Sequence, residues 1–337
     1  MRVLLLGADG FIGRRVTDRL LVDQELQVTV LGRRDSADIR FDLTTGSPGA
    51  LARFLDAVAP QVVINCAGAT YGSSRVLIRS NTLAVATVCE AIRRSREPAR
   101  LVHVGSAAEY GPVPGGIPIA ESAEPRPVGP YGVSKLAGTE LVLASGLDAT
   151  VLRVFDVVGP GAPTASLFGR LSEGLRRALE RDESVVRMPD LSGYRDFVDV
   201  RDVARAIQSA AVSAATGVIN IGSGHAVRAR DAAQMLVRTA GFEGTVAEES
   251  RPALLPAQSA GAADHLLHPL AHHLAGHRPA ESRATEGRAV DGRSPAAEPV
   301  PWRQADVRTA RDRLGWRTQV PLEESLGDIW LETACRV

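Results

Sequence analysis

Short apolar runs alternate with amphipathic stretches over the first half of the chain. Arg2–Leu6 is rich in valine and leucine and has the length of one buried strand; Arg14–Leu21 behind it places apolar residues at helical spacing. The alternation then repeats. Val28–Leu31, Val62–Cys66, Leu101–Val104 and Thr150–Val154 read as buried parallel strands, with helical stretches such as Gly49–Val58 and Asn81–Arg94 between them. This pattern predicts a doubly wound α/β sheet over residues 1–155. After Phe155 the periodicity becomes irregular, with Gly159-Pro160-Gly161 and then a helix predicted over Leu167–Arg181. From Pro252 to Pro301 it fails altogether: the stretch is rich in Ala, Pro, Arg, Ser and Gly and has no aromatic residue. It reads as a disordered insert. Five histidines fall in it (His265, His268, His272, His273 and His277), with His268 and His272 at i, i+4, so a metal site is the competing reading of that stretch.

Between the first predicted strand and helix lies Gly7-Ala8-Asp9-Gly10-Phe11-Ile12-Gly13. Strand, glycine turn and helix in that order place Gly7 at the tight turn and Gly10 where backbone approaches a pyrophosphate. Gly13 falls where the helix packs on the strand. The context makes this a dinucleotide site rather than a structural turn.

Composition narrows the function classes. Formal net charge is zero, so nothing favours nucleic acid or an anionic membrane surface. The longest apolar runs are strand-length and the N-terminus enters a strand directly, so a cytoplasmic location without membrane span or signal peptide is expected. Cys66, Cys89 and Cys335 are spaced for neither a disulfide framework nor a zinc site, and no metal is assigned.

One residue stands out by its rarity. The chain has a single lysine against 38 arginines, as a GC-rich genome would write it, and that lysine is Lys135, four residues after Tyr131. An ammonium is a compact point charge where guanidinium is a broad fork, so the two are not interchangeable beside a reacting group. Next to a phenol, a compact cation is expected to hold the pKa down and make Tyr131 a usable proton donor.

Together these motifs resemble the extended short-chain dehydrogenase/reductase family of nucleotide-sugar epimerases, dehydratases and ketoreductases, over nearly the whole chain. The glycine run opens the resemblance and Asn65-Cys66-Ala67-Gly68 is similar to the family's segment after the fourth strand. Ser106-Ala107-Ala108-Glu109-Tyr110-Gly111 and Pro130-Tyr131-Gly132-Val133-Ser134-Lys135 resemble its two catalytic segments. Arg153-Val154-Phe155, Arg195-Asp196-Phe197-Val198-Asp199-Val200 and Asn220-Ile221-Gly222-Ser223-Gly224 follow in the family's order, and Trp302 to Trp316 resembles its terminal segment. That pattern resumes abruptly at Trp302, so a frame-shifted reading of the gene is a third account of 252–301.

The resemblance implies a dinucleotide-binding domain over 1–155, with 206–222 returning one helix and one strand to it. It implies a smaller substrate-binding lid built from 156–205 and 223–337, and a possible homodimer. Ser106, Tyr131 and Lys135 would be catalytic. Gly7, Gly10, Phe11, Ile12, Gly13, Arg33, Asp42, Leu43, Ala67, Asn81 and Lys135 would bind the cofactor, with Asp42-Leu43 similar to the family's adenine-contacting pair. Where the family carries an acid for the ribose 2′-hydroxyl, this chain has Gly32, followed by Arg33, which can pair with a 2′-phosphate; NADPH is therefore expected over NADH.

Positions 107 and 108, which carry Asp and Glu in the dehydratases, are alanines, and an alanine moves no proton. Dehydration and decarboxylation are disfavoured, leaving hydride transfer with Ser106 on the carbonyl; Glu109 is expected to point away from the site. Ala107, Asp156 and Arg195 are the expected substrate contacts. Asp156 replaces a family Asn near the substrate diphosphate, an unfavourable exchange unless the carboxylate is turned away or paired, and Arg251 is the nearest candidate for a second phosphate-binding arginine. The expected activity is NADPH-dependent reduction of a nucleotide-activated 4-keto-6-deoxyhexose in a sugar branch of natural-product biosynthesis. A 4-epimerase, a reductase of a phosphate-free polyketide or aromatic ketone, and a dinucleotide-sensing regulator are the alternatives.

Overall fold

The computed structural model describes residues 1–249 and 301–335. In chain order it contains β1 (Arg2–Leu6), α1 (Phe11–Leu21), β2 (Gln27–Gly32), β3 (Ile39–Arg40), α2 (Pro48–Val58) and β4 (Val62–Asn65). α3 (Ser74–Ile78) passes through a wider turn at Arg79–Leu83 into α4 (Ala84–Arg94), followed by β5 (Arg100–Ser106), α5 (Gly129–Ala144) and β6 (Ala149–Val154). Then come β7 (Asp156–Val158), α6 (Leu167–Arg181), β8 (Val185–Met188), β9 (Tyr194–Asp199), α7 (Val200–Val212) and β10 (Gly217–Ile221). The last are β11 (Ala226–Arg228), α8 (Ala229–Thr239), β12 (Thr245–Glu248), α9 (Arg308–Leu314) and α10 (Leu322–Ala334).

Seven strands form one parallel sheet in the order β10-β6-β5-β4-β1-β2-β3. Its central strands are mostly apolar because both faces are covered. Along β1, Val3 and Leu5 join Val16 and Leu20 of α1 and Val203 and Ile207 of α7 on one face. Leu4 and Leu6 join Leu51 and Leu55 of α2 and Val85, Val88 and Ile92 of α4 on the other. Each such side chain, fully buried, contributes about 1.5–3 kcal/mol. Sequential strands run outward from β1 in one direction and from β4 in the other. The crevice above the β1/β4 ends is thus the topological switch point, where α/β sheets of this kind bind ligands.

A second layer begins after Phe155. β7 pairs parallel with β9, which pairs antiparallel with β11, while β8 and β12 form a separate pair. α6, α8 and α10 close around a core that includes Leu171, Leu175, Leu236, Leu326 and Ile329.

Several boundaries differ from expectation. The helix returning to the first layer starts at Val200, ahead of residue 206, because Asp199 caps it by accepting from Arg201 N at 2.7 Å. α9 and Trp316, expected in the substrate-binding part, instead join the first layer: Ala310 and Trp316 belong to its core, and Trp316 Nε1 donates to Asp202 O at 2.9 Å. The helix expected from Asn81 begins at Ser74, where the Ser73 side chain accepts from Val76 N. Of the 252–301 stretch only Pro301 lies among the described residues; Arg251 and the five histidines lie outside them. Among the described residues no helix is long and apolar enough to cross a membrane.

Candidate active site

A cleft of about 640 Å³ opens over the ends of β1, β4, β5 and β6, a volume suited to a small ligand. Its walls come from Gly10-Phe11-Ile12, the loop Cys66–Tyr71, Asn81, Val104–Ala108, Val128–Gly132 with Lys135, and Val154–Val157; Arg303 also lines it. Ten of the expected site residues therefore meet here: Gly10, Phe11, Ile12, Ala67, Asn81, Ser106, Ala107, Tyr131, Lys135 and Asp156.

The glycines fit a dinucleotide. Gly7 has φ +81°, and a Cβ there would lie 2.6 Å from Ala67 N; one at Gly13 would lie 2.0 Å from Gly7 O. Those two close the turn and the helix–strand contact. Gly10 caps α1 without a side-chain hydrogen bond, so first-turn N–H groups and the positive end of the helix dipole are left for an anion at the cleft.

At the cofactor's expected far end Leu43 is buried in the core beside the sheet, and Asp42 accepts from Thr44 N at 2.9 Å and from Thr44 Oγ1 at 2.8 Å. Arg33 is exposed and its charge acts on Asp42, helping lower that carboxyl, although burial opposes this and the Thr44 hydrogen bonds contribute more. Asp9 is the surprise. A Cβ on Gly32 would sit 4.0 Å from Asp9 Oδ2, so the glycine loop brings a carboxylate beside the position where the β2 acid is missing. Arg34 Nε lies 3.7 Å from that carboxylate and Ser36 Oγ 3.4 Å from its other oxygen.

Asn81 is spent on architecture. Its carboxamide accepts from Ala69 N and donates to Ala69 O, both at 2.8 Å, and donates to Ser134 Oγ at 3.0 Å. It thereby fixes the loop after β4 against α5.

Tyr131 and Lys135 lie one turn apart on α5, beside Ser106 at the end of β5. Lys135 is buried and its Nζ donates to Val104 O at 2.6 Å. Burial lowers the ammonium from its ordinary value, opposed by Glu109 and Cys66. Burial also pushes the Cys66 thiol up to about 12, leaving it protonated near neutrality. The Tyr131 phenol is raised, not lowered: burial dominates, the Ser106 hydroxyl works against it, and Glu109, Asp156 and Tyr71 add to it. The expectation that Lys135 depresses Tyr131 is thus corrected. The ammonium is turned to the Val104 carbonyl, and desolvation outweighs any attraction for a phenolate.

Asp156 is paired rather than turned away. Arg195 Nη1 lies 3.1 Å from Oδ1 and Arg303 Nη1 3.5 Å from Oδ2. Arg195, on β9, holds this carboxylate and is not itself part of the cleft wall; Arg303, which follows the aperiodic stretch, is a cleft-lining arginine that sequence reasoning did not single out. Nothing in its local sequence marks it out. Glu109 points away from the cleft, as expected. It stays out of the cleft wall yet is wholly buried behind it, ion-paired to Arg153 at 2.7 Å and accepting from Ser106 N at 2.8 Å. Here a signal existed: Ser106-Ala-Ala-Glu109 is a capping-box sequence, and the structure forms that box.

Comparison with known proteins agrees with this geometry. The NAD dependent epimerase/dehydratase family model matches residues 3–222. The chain is 32% identical to a dTDP-6-deoxy-L-talose 4-dehydrogenase (NAD(P)(+)) of Kitasatospora kifunensis, over 98% of this chain and 94% of the relative. It is 27% identical to a GDP-6-deoxy-D-mannose reductase of Pseudomonas aeruginosa, over 72% and 81% respectively. Among solved structures, MoeE5 in complex with UDP-glucuronic acid and NAD superposes with a TM-score of 0.74 at 27% identity, covering 99% of both chains. RMD from Pseudomonas aeruginosa complexed with NADPH gives 0.76 at 21% identity, covering 100% of this chain and 99% of that one, a likeness of fold. The glycine turn, Ser106, Tyr131 and Lys135 all lie within the matched region, and the chain belongs to the NAD-dependent epimerase/dehydratase family, nucleotide-sugar-modifying oxidoreductases and epimerases of the extended short-chain dehydrogenase/reductase type.

Proposed function

We propose that this protein reduces the 4-keto group of a nucleotide-activated 4-keto-6-deoxyhexose with NADPH. The observation that carries the reading is the composition of one wall of the cleft. Ser106, Tyr131 and Lys135 line it together, while Ala107 and Ala108 stand where an elimination would need carboxylates. NADPH bound along Gly10, Phe11 and Ile12 supplies the hydride. Ser106 hydrogen-bonds the carbonyl oxygen and Tyr131 gives that oxygen its proton. Lys135 keeps a positive charge beneath the reacting groups, which favours negative charge developing on the oxygen. The pairing of Asp156 with Arg195 and Arg303 supports a diphosphate-bearing substrate, since the carboxylate is offset by two cations, one of them on the cleft wall.

The preference for NADPH rests on Gly32, Arg33 and Arg34. Asp9 tempers it, because its carboxylate would stand near a 2′-phosphate, so a modest preference is the expectation rather than exclusion of NADH. A 4-epimerase is the second reading, favoured by 29% identity to a UDP-glucose 4-epimerase of Azospirillum brasilense. The test is NADPH oxidation followed at 340 nm against a panel of 4-keto sugar nucleotides and phosphate-free polyketide ketones. Turnover of a 4-keto sugar nucleotide is expected. Turnover confined to phosphate-free ketones would overturn the substrate class. Interconversion of 4-epimers by protein that keeps its NAD bound would establish the epimerase.

A further inference from the structure

We propose that Glu109 is a positioning residue of this site: held by Arg153 behind the end of β5, its carboxylate fixes the Ser106 backbone and supplies the buried negative charge against which the Lys135 ammonium is set.

The carboxylate is built in from three sides. Oε2 accepts from Arg153 Nε of β6 at 2.7 Å, and Oε1 accepts from Ser106 N at 2.8 Å. The Ser106 hydroxyl in turn accepts from Ala108 N at 3.2 Å, so serine and glutamate lock each other. Gly105 leaves the space: a Cβ there would lie 2.9 Å from Glu109 Oε1. Arg153 is itself fixed, its guanidinium 4.6 Å from the Tyr110 ring centroid, with Tyr110 OH donating to Asn220 Oδ1 at 2.7 Å.

A buried ion pair is a poor stabiliser, since apolar groups of similar volume serve as well or better. Its place behind Ser106 therefore points to the site it faces. The groups around that site are few among the described residues. Lys135 feels Glu109 from the turn after β5 and Cys66 from the end of β4, while His103 of β5, near enough to feel the ammonium, is held well below its ordinary value by burial and so stays neutral. Tyr131 feels Glu109, Asp156 from β7 and Tyr71 from the loop after β4. Glu109 acts in one direction on both: it favours charged Lys135 and protonated Tyr131, the forms that ketone reduction requires.

The proposal rests on reading Ser106, Tyr131 and Lys135 as the reacting groups, but its test needs no substrate and is independent of which ketone is reduced. Because the chain has one lysine, protein grown on ¹³Cε-lysine, with any tag free of lysine, gives one Cε resonance that reports Lys135 ionisation directly. It is titrated in the parent, in Glu109→Gln and in Glu109→Gln/Arg153→Met, each also carrying Tyr131→Phe to remove coupling to the phenol. Glutamine keeps an acceptor for Ser106 N and loses only the charge. The double variant guards against misfolding, because it strands no buried guanidinium. The expected result is a Lys135 midpoint moved to lower pH in Glu109→Gln, and by less in the double variant, which loses a cation as well. A midpoint at or above the parent's in Glu109→Gln that melts cooperatively and binds NADPH, or above the parent's in the folded double variant, overturns the proposal.

Discussion

Lys135→Arg keeps the charge and tests the geometry. The lysine side chain is buried, 6% exposed, and its Nζ makes one hydrogen bond, to Val104 O at 2.6 Å. A guanidinium brings five N–H donors in a plane to a position where an end-on ammonium has that carbonyl. One stranded buried donor costs about 1–3 kcal/mol, and forcing extra atoms into a packed site costs a further ~1–3 kcal/mol. Taking the lower half of each range, the variant should lose roughly 2–4 kcal/mol of stability. A cation displaced by about an ångström from the reacting groups should also cut kcat by ~10²-fold. Urea denaturation gives the first quantity and initial-rate NADPH oxidation the second. Lys135→Met separates them: it fills the space without stranded donors, so it should fold close to parental stability and still lose turnover. An Arg variant with a parental urea midpoint and full kcat would refute the argument, and the retention of this lysine would then be an accident of codon usage.

Tyr131→Phe should bind NADPH normally and lose ~10²–10⁴-fold in turnover, the value of a positioned acid; near-parental kcat would assign the proton to another group. The pH profile follows from the raised Tyr131: reduction needs the protonated phenol, so kcat/KM should hold through neutral pH and fall only as pH rises past the ordinary phenol value of ~10. An alkaline limb well below that value would contradict the burial argument. Gly32→Asp with Arg33→Ala should reverse the cofactor preference, and Asp9→Ala alone should tighten NADPH relative to NADH, both read from dissociation constants. Unchanged ratios would remove Gly32, Arg33 and Asp9 as determinants. Arg303→Ala should raise KM for a sugar nucleotide with little change in kcat, and a fall in kcat alone would place Arg303 outside substrate binding.

The sheet was legible in the sequence because its central strands are buried on both faces and so are mostly apolar, as in Val62–Asn65 and Ala149–Val154, which are buried at every position. Boundaries were less legible because caps set them. Asp199 starts α7 and Ser73 starts α3 through side-chain hydrogen bonds that carry no hydrophobic period. Trp316 was misplaced for a different reason. An apolar residue far along the chain can close either core, and only the tertiary contact with Asp202 decides which. The glycine run and the Tyr131–Lys135 spacing were readable because each is local. Arg303, Asp9 and Glu109 were not read as site residues, since each matters through a partner distant in sequence or through a turn whose direction the sequence leaves open.

The contrast between Arg153 and Lys135 gives the single lysine a physical reason. Both cations feel the same carboxylate, Glu109, and both are largely buried. Arg153 meets it through a guanidinium nitrogen while the guanidinium lies near the Tyr110 ring, a placement that a planar cation can fill and a tetrahedral ammonium fills poorly. Lys135 meets one carbonyl end-on from a buried position on the cleft wall, where a point charge suffices. A chain that writes arginine nearly everywhere thus keeps arginine where a plane must stack and lysine where a point charge must fit. Mutational drift from Lys to Arg is tolerated on the solvated surface, where either head reaches water. At Lys135 the head is buried against a single carbonyl, so the exchange brings more donors than that acceptor can take.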